Sequence, residues 1–168
     1  MKILAINGSP RKGNTRFILD RLLDHSDIID LKDKDIDFCD GSDECSTKTG
    51  KCKIADDMVD VYDRLEEAEV IVLASPCYFY NVSALMKNFM DRCNVYYFNK
   101  KLKGKKFYLI MVGGHEESIK EGLKCMSNFV KGIYGEVFGL YHVVADKIGE
   151  VDNSKVIKEI EKIKLRLT

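Results

Sequence analysis

This chain has no net charge to speak of: 27 lysines and arginines are matched by 27 aspartates and glutamates among its 168 residues. A balanced surface supplies no general positive field for a nucleic-acid backbone or an anionic membrane, so neither partner is expected. No apolar run approaches the length of a membrane span. The run that follows Met1-Lys2, ending at Ile6, is also too short for the core of an export signal. A cytoplasmic protein is therefore expected, in which the six cysteines are reduced thiols or metal ligands rather than disulfides. Proline is scarce, with only Pro10 and Pro76, and nothing has the composition of an interdomain linker. Residues 1–168 are read as one domain, large enough for one substantial core.

What is present alternates. Three unbroken apolar runs, Ile3 to Ile6, Val70 to Ala74 and Phe107 to Val112, read as strands buried on both faces of a parallel sheet. Ile28 to Leu31 and Val137 to Ala145 are two further candidates. Between the strands lie helical stripes: Ile18 with Leu22, Met58 with Tyr62 and Leu65, Leu85 with Phe89, Ile119 with Leu123, Met126 and Val130, and Val156 with Ile160, Ile163 and Leu167. Five strands alternating with helices predict a doubly wound α/β domain. Ligands of such sheets bind at the carboxyl ends of the strands, which directs attention to the turns carrying the two prolines.

The first turn, Asn7-Gly8-Ser9-Pro10-Arg11-Lys12-Gly13-Asn14-Thr15, runs straight into a helix. Hydroxyls, glycines and unpaired helix N-terminal amides suit an anion by hydrogen bonding and by dipole. A helix merely capped by Asn14 or Thr15 explains one polar residue but not the whole run. Gly8, Gly13 and Thr15 fit the spacing G-x-x-x-x-G-K-[ST], but Asn14 replaces the lysine that reaches the outer phosphates of a triphosphate; a terminal monophosphate suits this loop better. The dinucleotide pattern G-x-G-x-x-G is not met, and no cysteine is followed six positions later by an arginine, as a small tyrosine phosphatase requires. The second turn, Pro76-Cys77-Tyr78-Phe79-Tyr80-Asn81, offers apolar walls and backbone groups to a planar ligand. Gly113-Gly114-His115, after a third strand, permits close backbone approach, and His115 opens the next helix.

These segments carry a resemblance. The first loop resembles the FMN-phosphate loop of the NAD(P)H-dependent FMN reductase and iron–sulfur flavoprotein families. Ala74 to Ser83 resembles their segment beside the isoalloxazine ring, and Lys87-Asn88-Phe89-Met90-Asp91-Arg92 is similar to their dimer-interface helix. Together with Asp56-Asp57-Met58, the likeness spans residues 1 to about 92. It implies a flavodoxin-like fold with sheet order 2-1-3-4-5. It also implies FMN held by Ser9, Arg11, Lys12, Gly13, Asn14 and Thr15 at its phosphate and by Pro76, Cys77, Tyr78, Phe79, Asn81, Gly113, Gly114 and His115 around its ring. The expected activity is that of an oxidoreductase reduced by NAD(P)H and passing electrons to a small molecule or a redox protein, with no catalytic side chain required. An electron carrier serving ferredoxin-like partners is the alternative. Signalling domains of the same fold need acidic residues at the end of the first strand, where this chain has Asn7 and Ser9. Asp91-Arg92 and Tyr96-Tyr97-Phe98 suggest a homodimer or homotetramer.

The cysteine-containing loop at 39–52 resembles the compact four-cysteine motif of iron–sulfur flavoproteins, C-x2-C-x2-C-x4-7-C, with Ser42 in the second slot. Cys39, Cys45 and Cys52 then leave a four-iron cluster one thiolate short, and no cluster is expected. Asp40, Asp43 or Glu44 are the available oxygen donors for an unusual fourth position. A zinc site on three cysteines is a further alternative, which the wide spacings disfavour.

Overall fold

A computed structural model describes residues 1–42, 44–47 and 50–167. Five parallel strands form the central sheet: β1 (Ile3–Asn7), β2 (Ile28–Asp30), β3 (Val70–Tyr78), β5 (Lys106–Gly113) and β6 (Glu136–Val144). Their spatial order is β2-β1-β3-β5-β6, the expected 2-1-3-4-5 arrangement, with every adjacent pair parallel. The sixth strand, β4 (Asn81–Val82), was not anticipated. It folds back antiparallel on the end of β3, pairing Cys77 with Val82 and Tyr78 with Asn81.

Alternation along the strands divides the core in two. Leu4, Ile6, Ile71, Leu73, Phe107, Leu109 and Met111 face one side, where α3 (Met58–Glu67), α4 (Ala84–Arg92) and α6 (Glu116–Gly132) lay down their apolar stripes. Ala5, Val70, Val72, Ala74, Tyr108, Ile110 and Val112 face the other, covered by α1 (Asn14–Leu22) and α7 (Ser154–Leu167). Because β1, β3 and β5 are covered on both faces, their sequences read as continuous apolar runs. The remaining helices are short: α2 (Glu44–Thr47) lies within the cysteine segment and α5 (Val95–Asn99) follows α4. No helix among the described residues is long and apolar enough to cross a membrane.

Several local readings need correction. On α4 the buried apolar residues are Met86, Phe89 and Met90, while Leu85 is half-buried and packs at the margin of that core. Pro76 lies inside β3 rather than after it. Pairing with β1 ends at Ala74, and Pro76 is registered only against Val112 of β5, so its missing N–H falls where one flank of the strand is already free. Helix α1 is capped by the extended backbone of Gly13 without a side-chain bond. Asn14 and Thr15 lie inside the helix rather than at its cap, and the Asn14 amide is committed to the distant Lys147–Gly149 turn.

Arg92 and Tyr96 are not surface groups awaiting a partner. The Arg92 side chain is fully buried and makes a two-pronged ion pair with Asp56, at 2.5 and 3.0 Å, while donating to the carbonyl of Asp37 at 2.7 Å. Asp56 also accepts from the backbone N–H groups of Asp37 and Met58. The pair thereby ties α4 to the start of α3 and to the segment leading into the cysteines. Burial alone would raise the Asp56 carboxyl, but Arg92 and those two amides hold it below the usual carboxylate range. Tyr96 packs edge-on against Tyr62 at 5.7 Å, inside the same core.

Candidate functional site

The loop after β1 is built from short polar contacts. Gly8 N–H donates to the carbonyl of Ala74 on β3, and Ser9 N–H to the side chain of Asn7. The Ser9 hydroxyl donates to the carbonyl of Arg11 at 2.8 Å. The first helical hydrogen bond of α1 runs from Phe17 N–H to the carbonyl of Gly13, leaving the amides before it without intrahelical partners. Two serines, Ser75 on β3 and Ser83 just after β4, bind the loops together. Ser83 caps α4 by accepting from Met86 N–H and donates its hydroxyl to the carbonyl of Gly8 at 2.5 Å. Its own N–H donates to Ser75. These are positioning residues that sequence reasoning did not single out, although serine before a helix is itself a capping signal.

Three turns consequently meet at the carboxyl ends of β1, β3 and β5 around a cavity of about 220 Å³. Its lining includes Ser9, Arg11, Asn14 and Thr15 from the first turn, Pro76, Cys77 and Tyr78 from the second, and Gly113 and Gly114 from the third. Val112, Ala145 and Asp146 complete it, and no local sequence signal marked them. The volume lies below the usual range of pockets that enclose a whole small ligand, so a larger occupant extends past the mouth. A Cβ at Gly113 would come within 2.8 Å of Cys77 Cβ, and one at Gly114 would overlap the Asp146 carboxylate. At Gly113 the Cys77 Cβ cannot give way, so that wall stays close only with glycine, whereas at Gly114 the neighbour is the movable end of the Asp146 side chain.

Other expected residues lie elsewhere. Lys12 and Gly13 line a neighbouring cleft of about 300 Å³ with Arg16, Asp20, His25 and Asp30. There Arg16 is consumed by ion pairs to Asp20 and Asp30 and by the Nδ1 of His25 at 2.6 Å. Asn81 turns its side-chain oxygen back to Val82 N–H, and exposed His115 begins α6 without capping it by its side chain. Phe79 and Tyr80 form the two-residue tip between β3 and β4 with φ of 48° and 64°. Such a turn calls for Asn-Gly, so placing two aromatics there stores strain next to the cavity. Phe79 is fully solvent-exposed.

The site's polar groups suit an anion. Thr15 is only 2% exposed, yet its hydroxyl has no hydrogen-bond partner among the described residues, and Arg11 likewise has no carboxylate partner. Both border the cavity beside the amino end of α1, whose dipole adds to the attraction.

The sequence model of the NADPH-dependent FMN reductase family matches residues 1–134. The chain belongs to the NADPH-dependent FMN reductase family. It is 38% identical over 122 residues to an iron–sulfur flavoprotein of Archaeoglobus fulgidus, a match covering 68% of the chain and 60% of that relative. It is 34% identical over 134 residues to an iron–sulfur flavoprotein of Methanocaldococcus jannaschii, covering 72% and 69% respectively. The chain thus spans about three fifths of the first of these proteins. A flavodoxin, WrbA-like protein from Agrobacterium tumefaciens has the same fold, with a TM-score of 0.61 at 13% identity over 99% of this chain and 98% of its own. The fold is flavodoxin-like, and FMN is the cofactor of the family. The partnerless Thr15 hydroxyl, the free Arg11 guanidinium and the helix-end amides fit its terminal phosphate.

The cysteine segment is remote from this cavity. Cys39 borders a separate cavity of about 470 Å³ with Gly132 and Ile133, at the far end of α6. That is roughly 24 Å along the helix from its start at Glu116, which follows the Gly113-Gly114 wall of the first cavity. The iron–sulfur cluster named in the relatives does not fit the donors present. Ser42 occupies one ligand slot, and among the described residues no three histidine, cysteine or acidic side chains converge as metal ligands. Burial raises the Cys45 thiol, and the neighbouring Cys52 and Cys39 add to that shift. Asp43 lies outside the described residues.

Proposed function

We propose that the chain binds FMN in the cavity between the ends of β1, β3 and β5 and acts as an NAD(P)H-dependent oxidoreductase in the cytoplasm, reducing a small-molecule or protein acceptor. The observation that carries this reading is the meeting of Ser9, Arg11 and Thr15 with Cys77, Tyr78, Gly113 and Gly114 around one cavity, in a chain of the FMN reductase family. FMN supplies the redox chemistry when bound. The chain's own groups orient it: Arg11, Thr15 and the first amides of α1 receive the phosphate, Gly113 and Gly114 allow the wall after β5 to approach, and Tyr78 offers an apolar face. Lys12, Gly13, Phe79, Asn81 and His115 act from the margin of the cavity. Exposed Tyr97, Phe98 and Tyr134 support a homodimer or homotetramer.

Titration with FMN and riboflavin tests the phosphate assignment. FMN should bind more tightly, and equal affinities would refute it. Rapid mixing of the holoprotein with NADPH or NADH tests the activity: bleaching of the flavin band on a catalytic timescale is expected. The kinship with iron–sulfur flavoproteins favours a second reading, an electron carrier, and reduction by a protein donor but by neither nicotinamide would establish that one.

A further inference from the structure

The segment following β6 lines the cavity at Ala145 and Asp146, and contacts to α1 and to the turn after β5 hold it there. The Asn14 side chain donates to the carbonyl of Lys147 and accepts from Gly149 N–H, both at 2.8 Å. Glu150 accepts from the N–H groups of Asp146 and Lys147, at 2.7 and 3.0 Å. At its start, the Asp146 carboxylate packs so closely on Gly114 that a Cβ there would overlap it. The segment therefore bridges the phosphate-loop helix and the wall after β5. Asp146 touches that wall one residue before the carbonyl that Asn14 grips.

Asp146 lines the cavity, and its carboxylate has no hydrogen-bond or ion-pair partner among the described residues. A carboxylate beside a phosphate subsite is repelled by the phosphate, and a hydrogen-bond donor lying between them offsets that repulsion. Of the parts of FMN, the ring belongs against the wall and the phosphate against α1. The polyol chain that joins them lies between, and its hydroxyls are donors.

We propose that Asp146 is a cofactor-binding residue whose carboxylate accepts a hydrogen bond from a ribityl hydroxyl of FMN, and that Asn14 is the positioning residue that holds its segment in place. The proposal rests on the FMN reading above. Asn14 thus serves the cofactor through its side chain's grip on residues 147–149 rather than by capping α1. A charge-assisted hydrogen bond of this kind corresponds to about tenfold to hundredfold in affinity.

The test is titration of the wild type, Asp146→Ala and Asp146→Asn with FMN and with its 2′-, 3′- and 4′-deoxy analogues. Asp146→Ala should bind FMN about tenfold to a hundredfold more weakly. Against one deoxy analogue it should lose almost nothing, because the hydroxyl that Asp146 engages is already missing. Asp146→Asn keeps an acceptor oxygen and should recover part of the affinity. Unchanged FMN binding by Asp146→Ala, or an equal loss for all four ligands, overturns the proposal while leaving the FMN reading intact. Failure of the wild type to bind FMN overturns both.

Discussion

Replacing Arg92 by leucine is the sharpest test of how this chain holds its shape. The substitution keeps an apolar stem at the end of α4 but leaves the Asp56 carboxylate, 7% exposed, facing the core without its cation. Breaking a buried pair from one side costs about 3–5 kcal/mol, because the surviving charge keeps its desolvation penalty. For a chain of this size, each kcal/mol moves the melting temperature by about 2–4 °C, so Arg92→Leu should melt about 6–20 °C lower. Asp56→Asn strands the guanidinium instead and should cost a similar amount. The double variant should lose less than the two single losses combined, and the difference is the coupling read by a double-mutant cycle. The pH dependence has a definite sign. The folded carboxyl lies below its unfolded value of about 3.9, so the pair's contribution is complete above that value and disappears as pH falls through the lower folded one. The wild type should therefore lose more stability than Asp56→Asn as pH drops from about 5 toward 2. Thermal melts across that range read both effects. A loss below about 1 kcal/mol for Arg92→Leu, or additive single losses, would refute the buried-pair account.

Two further outcomes are expected. Replacing the Phe79-Tyr80 tip by Asn-Gly should raise the urea midpoint of the cofactor-free protein, since about 1–3 kcal/mol of strain attends each left-handed non-glycine residue; it should also weaken FMN binding if the aromatics border the ring. An unchanged or lower midpoint would mean the turn is unstrained. Protein purified without oxygen should hold FMN but no stoichiometric four-iron cluster, and Ser42→Cys should gain cluster-forming capacity; about four iron and four sulfide per wild-type chain would show that three cysteines suffice.

Local physics made much of this protein legible before any fold was known. The doubly covered strands β1, β3 and β5 had to be continuous apolar runs, and helices lying on them had to carry stripes of period 3.6, so their types and sequence order followed from the local apolar pattern alone. The loop from Ser9 to Thr15 could be read as a candidate anion site because helix-end amides and hydroxyls act over a few residues. What distance in sequence concealed was the pairing of Arg92 with Asp56 and the arrival of Asp146 at Gly114 and of Lys147 at Asn14, whereas the return of β4 onto β3 was hidden by a hairpin tip of two aromatics in place of the usual turn residues. The aromatic stretch at 96–98 shows the limit most plainly. Its apolar character was evident, yet only the packing of α5 against α3 decided that Tyr96 is core while Tyr97 and Phe98 remain partly exposed. A side chain's period and chemistry are written in its neighbours along the chain. Its burial and its partner depend on which elements the sheet order brings beside it, and that order is a property of the whole fold.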